Sequence, residues 1–164
     1  MDQPTDNRKS FFGGSKLKKL VILLIIFSAS CTKPILQAPS DFTVFDKSPE
    51  YKAVSFDGIH IKIKTIKDND FKENSDSELW LTEIESVLST NGYSRNDTTL
   101  LTLNNGKNAH YREYLNIYNA EEYIYSICLI IDSAKFIIIE AGGRRDIYMK
   151  YKTEILNSYQ SVKF

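Results

Sequence analysis

The apolar positions of this chain follow three different rhythms. From Leu20 to Phe27 they form one unbroken run, with Lys16, Lys18 and Lys19 before it and Ser28-Ala29-Ser30-Cys31 after it. From Lys52 onward they alternate. Ile59, Ile61 and Ile63 interleave with His60, Lys62 and Lys64, the period of a strand with one buried and one wet face. Asp57-Gly58 just before them is a hairpin signal, as is Asn105-Gly106 further on. Two stretches change to helical spacing. Leu79, Trp80, Ile84, Val87 and Leu88 predict a helix opened by a Ser75–Glu78 capping box and closed at Asn91-Gly92. Ile147, Tyr151, Ile155, Leu156 and Tyr159 predict a second, over residues 146–162.

Between the helices lie four strand-like runs. Two of them, Glu122 to Ile131 and Ala134 to Glu140, are apolar on both faces and therefore need cover on both. Gly142-Gly143 then breaks the pattern. The predicted order is β-β-α-β-β-β-β-α. It defines an α+β fold, a three-layer α/β/α sandwich around an antiparallel sheet of about six strands. Trp80 is expected to be the main core anchor of the first helix.

The run from Leu20 to Phe27 is less than half the roughly 20 residues a membrane-spanning helix needs. With its basic flank and the small residues after it, it reads as a signal segment. Phe27 to Cys31 resembles a lipobox, the site where bacterial lipoprotein precursors are cut and the new N-terminal cysteine is acylated, although Ser28 stands where Leu is commonest. The resemblance implies lipidation at Cys31 by palmitate-like chains, which hold a protein at a bilayer through buried methylenes worth about 0.8 kcal/mol each. The expected organisation is a signal peptide over 1–30, a lipidated Cys31 and proline-bearing tether over 31–49, and a domain over 50–164. The polar stretch before Leu17 is long for a signal peptide, and a start at position 17 would give a compact one.

Charge sharpens this picture. The chain has 21 basic and 21 acidic residues, but five basic and two acidic ones precede Cys31. The remainder holds 16 and 19, net −3, which opposes nucleic acid as a partner. With Cys31 acylated, Cys128 has no disulfide partner and reads as a small buried hydrophobe.

Asp57-Gly58 with its isoleucine strand, Trp80, Gly92-Tyr93, Tyr111 to Tyr114, Tyr123-Ile124-Tyr125, Glu140-Ala141-Gly142 and the closing Val162-Lys163-Phe164 together resemble the PsbP-like and Mog-like superfamily, over Phe42 to Phe164. The resemblance implies a binding or assembly module rather than an enzyme, and supplies no site residue to carry over.

No catalytic motif is present, and no metal site or cofactor is implied: the two histidines, His60 and His110, lack close ligand spacing. Gly142, Gly143, Arg144 and Arg145 form a candidate anion-binding turn before a helix. Tyr111, Tyr114, Tyr123 and Tyr125 form a candidate binding surface. The sequence therefore points to a membrane-anchored cell-envelope lipoprotein, non-catalytic, with the bilayer and an envelope protein as partners. The alternatives are a small metal-dependent or anion-binding enzyme using His110 or Glu140, and a surface-exposed interaction lipoprotein.

Overall fold

The structure, a computed structural model, describes residues 34–45, 50–67, 77–132 and 135–164. The signal segment, Cys31 and the capping residue Ser75 lie outside the described residues. Among the described residues are seven strands and two helices: β1 (Phe42–Phe45), β2 (Tyr51–Ser55), β3 (His60–Lys67), α1 (Ser77–Thr90), β4 (Ser94–Thr102), β5 (Asn108–Tyr118), β6 (Glu121–Asp132), β7 (Lys135–Arg144) and α2 (Arg145–Gln160). The strands form one sheet in the order β1-β2-β3-β7-β6-β5-β4, every neighbouring pair antiparallel. The last strand of the chain is thus the middle of the sheet.

The seventh strand, one more than expected, is β1. It lies within the stretch predicted to be a tether. Only Phe42 of its four residues is buried, so it shows no alternation by which to find it. Further upstream Ile35 bridges Lys163 and Leu36 is buried in the core, so the folded domain begins before residue 50.

The doubly apolar strands are covered on both sides. On one face Ile124, Cys128 and Ile130 of β6 and Ile137 and Ile139 of β7 pack with Tyr148, Ile155 and Tyr159 of α2. Those three α2 residues share one helical stripe. On the other face Leu129 and Phe136 receive Leu81 of α1, flanked by Ile131 and Ile138. Leu81 is the one buried residue of α1. Trp80, expected as the anchor, is 39% exposed and lays its ring against Phe136 at 4.9 Å. The inward seat belongs to its smaller neighbour, Leu81.

Turns account for the remaining departures from sequence expectation. The β2–β3 connection is a three-residue loop, Phe56-Asp57-Gly58: Ser55 N–H donates to Ile59 O at 2.9 Å and Gly58 N–H to Ser55 O at 3.2 Å. Leu103 and Lys107 close the same kind of loop around Asn104-Asn105-Gly106. Only the glycine of each has positive φ, the conformation of a type I turn with a following bulge rather than a two-residue turn. Gly92, at φ +82°, ends α1 as predicted, with Tyr93 N–H donating to Leu88 O.

Gly142 and Gly143 do not break β7; they are strand residues opposite Tyr125 and Ile124. A Cβ on Gly143 would overlap Cδ1 of the buried Ile59. Gly143→Ala is therefore expected to destabilise by about 1–3 kcal/mol, the usual range for overpacking, as read from the midpoint of urea unfolding.

The β5–β6 hairpin turns on Asn119-Ala120, both at positive φ. Two such residues define the type I′ turn, which favours Gly at the second position. Alanine there carries left-handed strain. Ala120→Gly is expected to raise stability by about 0.5–1 kcal/mol in the same measurement, after the entropy of the added glycine is subtracted.

Candidate functional site

The α1 face of the sheet is only partly covered. Helix α1 starts with Trp80 on Phe136 of β7 and ends where Asn116 of β5 donates its side-chain amide to Asn91 O at 3.1 Å. It therefore crosses diagonally from the centre of the sheet toward β5. It is pinned midway by Arg112, a buried residue of β5. One guanidinium nitrogen donates to Glu78 at 2.6 Å and the other to Glu85 at 2.9 Å, two helical turns apart. His110 lies 3.6 Å from the same Glu78. Glu78 thus turns toward the sheet. Arg112→Leu is expected to cost about 1–3 kcal/mol and to speed hydrogen exchange in α1 before it does so in β6 or β7. Equal acceleration in all three would contradict this pinning role.

Among the described residues, no helix lies over the corner of this face beyond α1. Strand alternation places Lys52 of β2, His60, Lys62 and Lys64 of β3, Glu140 and Gly142 of β7, and Tyr125 of β6 on it. Lys52 stands directly opposite Lys62, which stands opposite Glu140. Lys64 donates to Glu140 at 3.2 Å. Among the described residues Lys52 and Lys62 have no ion-pair partner. Together with His60, Tyr125, Glu140 and Gly142 they line a groove of about 350 Å³. Tyr93 packs against the Tyr125 ring at 5.9 Å. The glycine opposite His60 keeps the floor low. Burial holds the His60 ring below its ordinary range, and the charges of Lys52 and Lys62 push the same way. Burial, then the Glu140 charge, raises Tyr125. The groove thus brings two lysine ammonium groups together beside Tyr125, an arrangement suited to binding a negative group.

The opposite layer conceals a second polar cluster. Glu113 of β5 is fully buried. It accepts hydrogen bonds from Tyr111 at 2.7 Å, Asn96 at 2.6 Å and Lys152 of α2 at 2.9 Å. Tyr148 donates to Ser126 at 2.7 Å, and Tyr159 lies 2.8 Å from the same hydroxyl. Burial pushes the Tyr148 phenol up to about 12 and the Cys128 thiol likewise, so neither supplies an anion near neutral pH.

The predicted site residues are dispersed by this arrangement. Tyr111 and Tyr114 are buried, because β5 lies between β4 and β6 with covered faces; they do not form a surface. Tyr123 is half-buried and donates to Glu121. Of the four tyrosines only Tyr125 reaches the groove. Gly142 also reaches it, whereas Arg144 and Arg145 lie at the start of α2. There Arg144 meets Asp146 and Glu121, and Arg145 meets Glu122. Three carboxylates face two guanidiniums, which disfavours an anion at that spot. His60 and His110 fall on different parts of the sheet, and among the described residues no group of three or more His, Cys, Asp or Glu gathers. The groove lysines escaped the sequence reading because a polar position in an alternating strand signals only a wet face. A two-residue turn at Asp57-Gly58 would set Lys52 opposite Ile63; only the three-residue loop seen in the structure sets it opposite Lys62.

No protein-family model matches the chain, and no curated protein matches it in sequence. Solved structures do match. LpqN of Mycobacterium tuberculosis, a protein involved in cell envelope biogenesis, superposes with a TM-score of 0.56 at 13% identity, over 83% of this chain and 86% of that one. The cyanobacterial PsbP of Synechocystis sp. PCC 6803 gives 0.54 at 11% identity, over 79% and 85%. The Ran-binding protein Mog1p of Saccharomyces cerevisiae gives 0.53 at 11%, over 80% and 94%. The chain has the PsbP/Mog1-like fold, an antiparallel sheet between helices. At these identities the likeness is one of fold alone.

Proposed function

We propose that this chain is a lipid-anchored protein of the bacterial cell envelope, and that its sandwich is a non-catalytic binding or assembly module that meets its partner across the uncovered corner of the α1 face. The observation that carries the reading is the unequal cover of the sheet. Helix α2 fills one face with a continuous core, while α1 stops short of Lys52, His60 and Lys62 on the other. A sheet face left open with charged residues on it is suited to recognition. The anchor rests on the lipobox-like Phe27–Cys31. It is in keeping with the fold-similar LpqN being involved in cell envelope biogenesis and Mog1p being a binding protein. Acylated Cys31 would stand four residues before Ile35, where the domain begins to pair, a reach of at most about 14 Å. The module would then work close to the bilayer.

Intact-mass analysis of the mature protein from membranes tests the anchor. The expected N-terminus is Cys31 carrying acyl chains, and Cys31→Ser is expected to move the protein out of the detergent-rich phase. A mature chain that begins elsewhere, or at an unacylated Cys31, would overturn the anchor.

A further inference from the structure

The groove holds an electrostatic arrangement that the fold does not need. Lys52 and Lys62 are directly opposed across β2 and β3, a placement that puts their Cβ atoms about 5 Å apart and makes like charges unfavourable. Both are half-buried, so water screens them less than it would free surface lysines. The nearby carboxylate, Glu140, is already engaged by Lys64. Among the described residues two positive charges therefore remain without an ion-pair partner, in a groove that Tyr125 and Gly142 also line.

We propose that Lys52 and Lys62 together bind the doubly charged phosphate group of a small soluble phosphate monoester. The choice follows from charge and place. A single carboxylate would neutralise one of the two lysines, whereas a phosphate monoester carries about −1.5 to −2 near pH 7. Lysine binds phosphate as a point charge and needs no forked geometry. The groove's volume lies at the lower end of the range for small-molecule sites. It opens beside the Phe56-Asp57-Gly58 loop. Ile35 pairs with Lys163 at the other end of the sheet, where Asn104 meets the last turn of α2. With the anchor proposed above joining the domain at that end, the placement favours a soluble ligand over a lipid headgroup. The proposal rests on the reading that the open corner is the binding face.

His60 is a built-in reporter. It faces Lys52 from β2, Lys62 on its own strand and Glu140 and Gly142 from β7. A bound anion favours its charged form, so its midpoint should rise on binding. The experiment follows the ring protons of both histidines by NMR in the full mature protein in micelles, with inorganic phosphate added against chloride at matched ionic strength. Phosphate is expected to raise the His60 midpoint well beyond the chloride control and to leave His110 unmoved. Lys62→Gln and Lys52→Gln should each raise the His60 midpoint without phosphate and weaken the phosphate response at least tenfold. Lys62→Gln should also raise the melting temperature at low salt, because it removes the lysine–lysine repulsion.

Equal responses to phosphate and chloride, or a full response in both lysine variants, would overturn the proposal. A response only to vesicles containing phosphatidic acid, and not to phosphate, would overturn it in favour of a headgroup. A photo-crosslinking residue at position 62, used in intact cells, separates this failure from that of the wider reading. A specific protein adduct without any phosphate response leaves the binding face standing and the phosphate site refuted. Neither adduct nor response refutes both.

Discussion

Strands β6 and β7 are apolar on both faces, and the rest of the architecture follows from that. A strand buried on both sides needs a layer above and a layer below it. Helix α2 meets the demand on one face with the stripe of Tyr148, Ile155 and Tyr159. Helix α1 meets it on the other with little more than Leu81, and is held there by two carboxylates gripping one buried guanidinium. The two helices are therefore unequal partners. One closes a core, and the other is a partial cover whose limits define the open corner.

The hidden carboxylate of Glu113 belongs to the well-covered side. Burying a charge is costly unless it is fully hydrogen-bonded, and here a phenol, an amide and an ammonium all converge on it. Three buried tyrosines find partners in this way: the hydroxyls of Tyr111, Tyr148 and Tyr159 meet Glu113, Ser126 or each other inside the sandwich. The cluster also ties β5 and the edge strand β4 to α2, through Asn96 and Lys152. It thereby fixes the relative placement of elements that nonpolar packing alone would leave free to slide.

Much of this fold was legible in the sequence. Periodicity located β2, β3, both helices and the doubly apolar strands, and Gly92 marked the end of α1. What stayed hidden has physical reasons. β1 is an edge strand with a single buried residue. Gly142 and Gly143 resemble a break because glycine is rare in strands, yet they are needed where Ile59 and the β6 backbone approach closely. Trp80 outranks Leu81 on size, but the helix axis, invisible in the sequence, decided which turned inward. The groove was least legible of all. It arises from where α1 ends relative to β2 and β3, a tertiary relation between residues that each read as ordinary strand surface.

The central position of the last strand has a kinetic consequence. β1 to β3 and β4 to β6 are two separate three-stranded ribbons until β7 inserts between them, joining His60 to Gly142 across most of the domain's length. Contacts so distant in sequence make folding slow relative to local helix and hairpin formation. Until its C-terminal third is available, the chain has no complete core to commit to. If the chain is exported unfolded, as the anchor proposed above requires, such lateness would keep it competent for passage, with the sheet closing only once β7 has emerged.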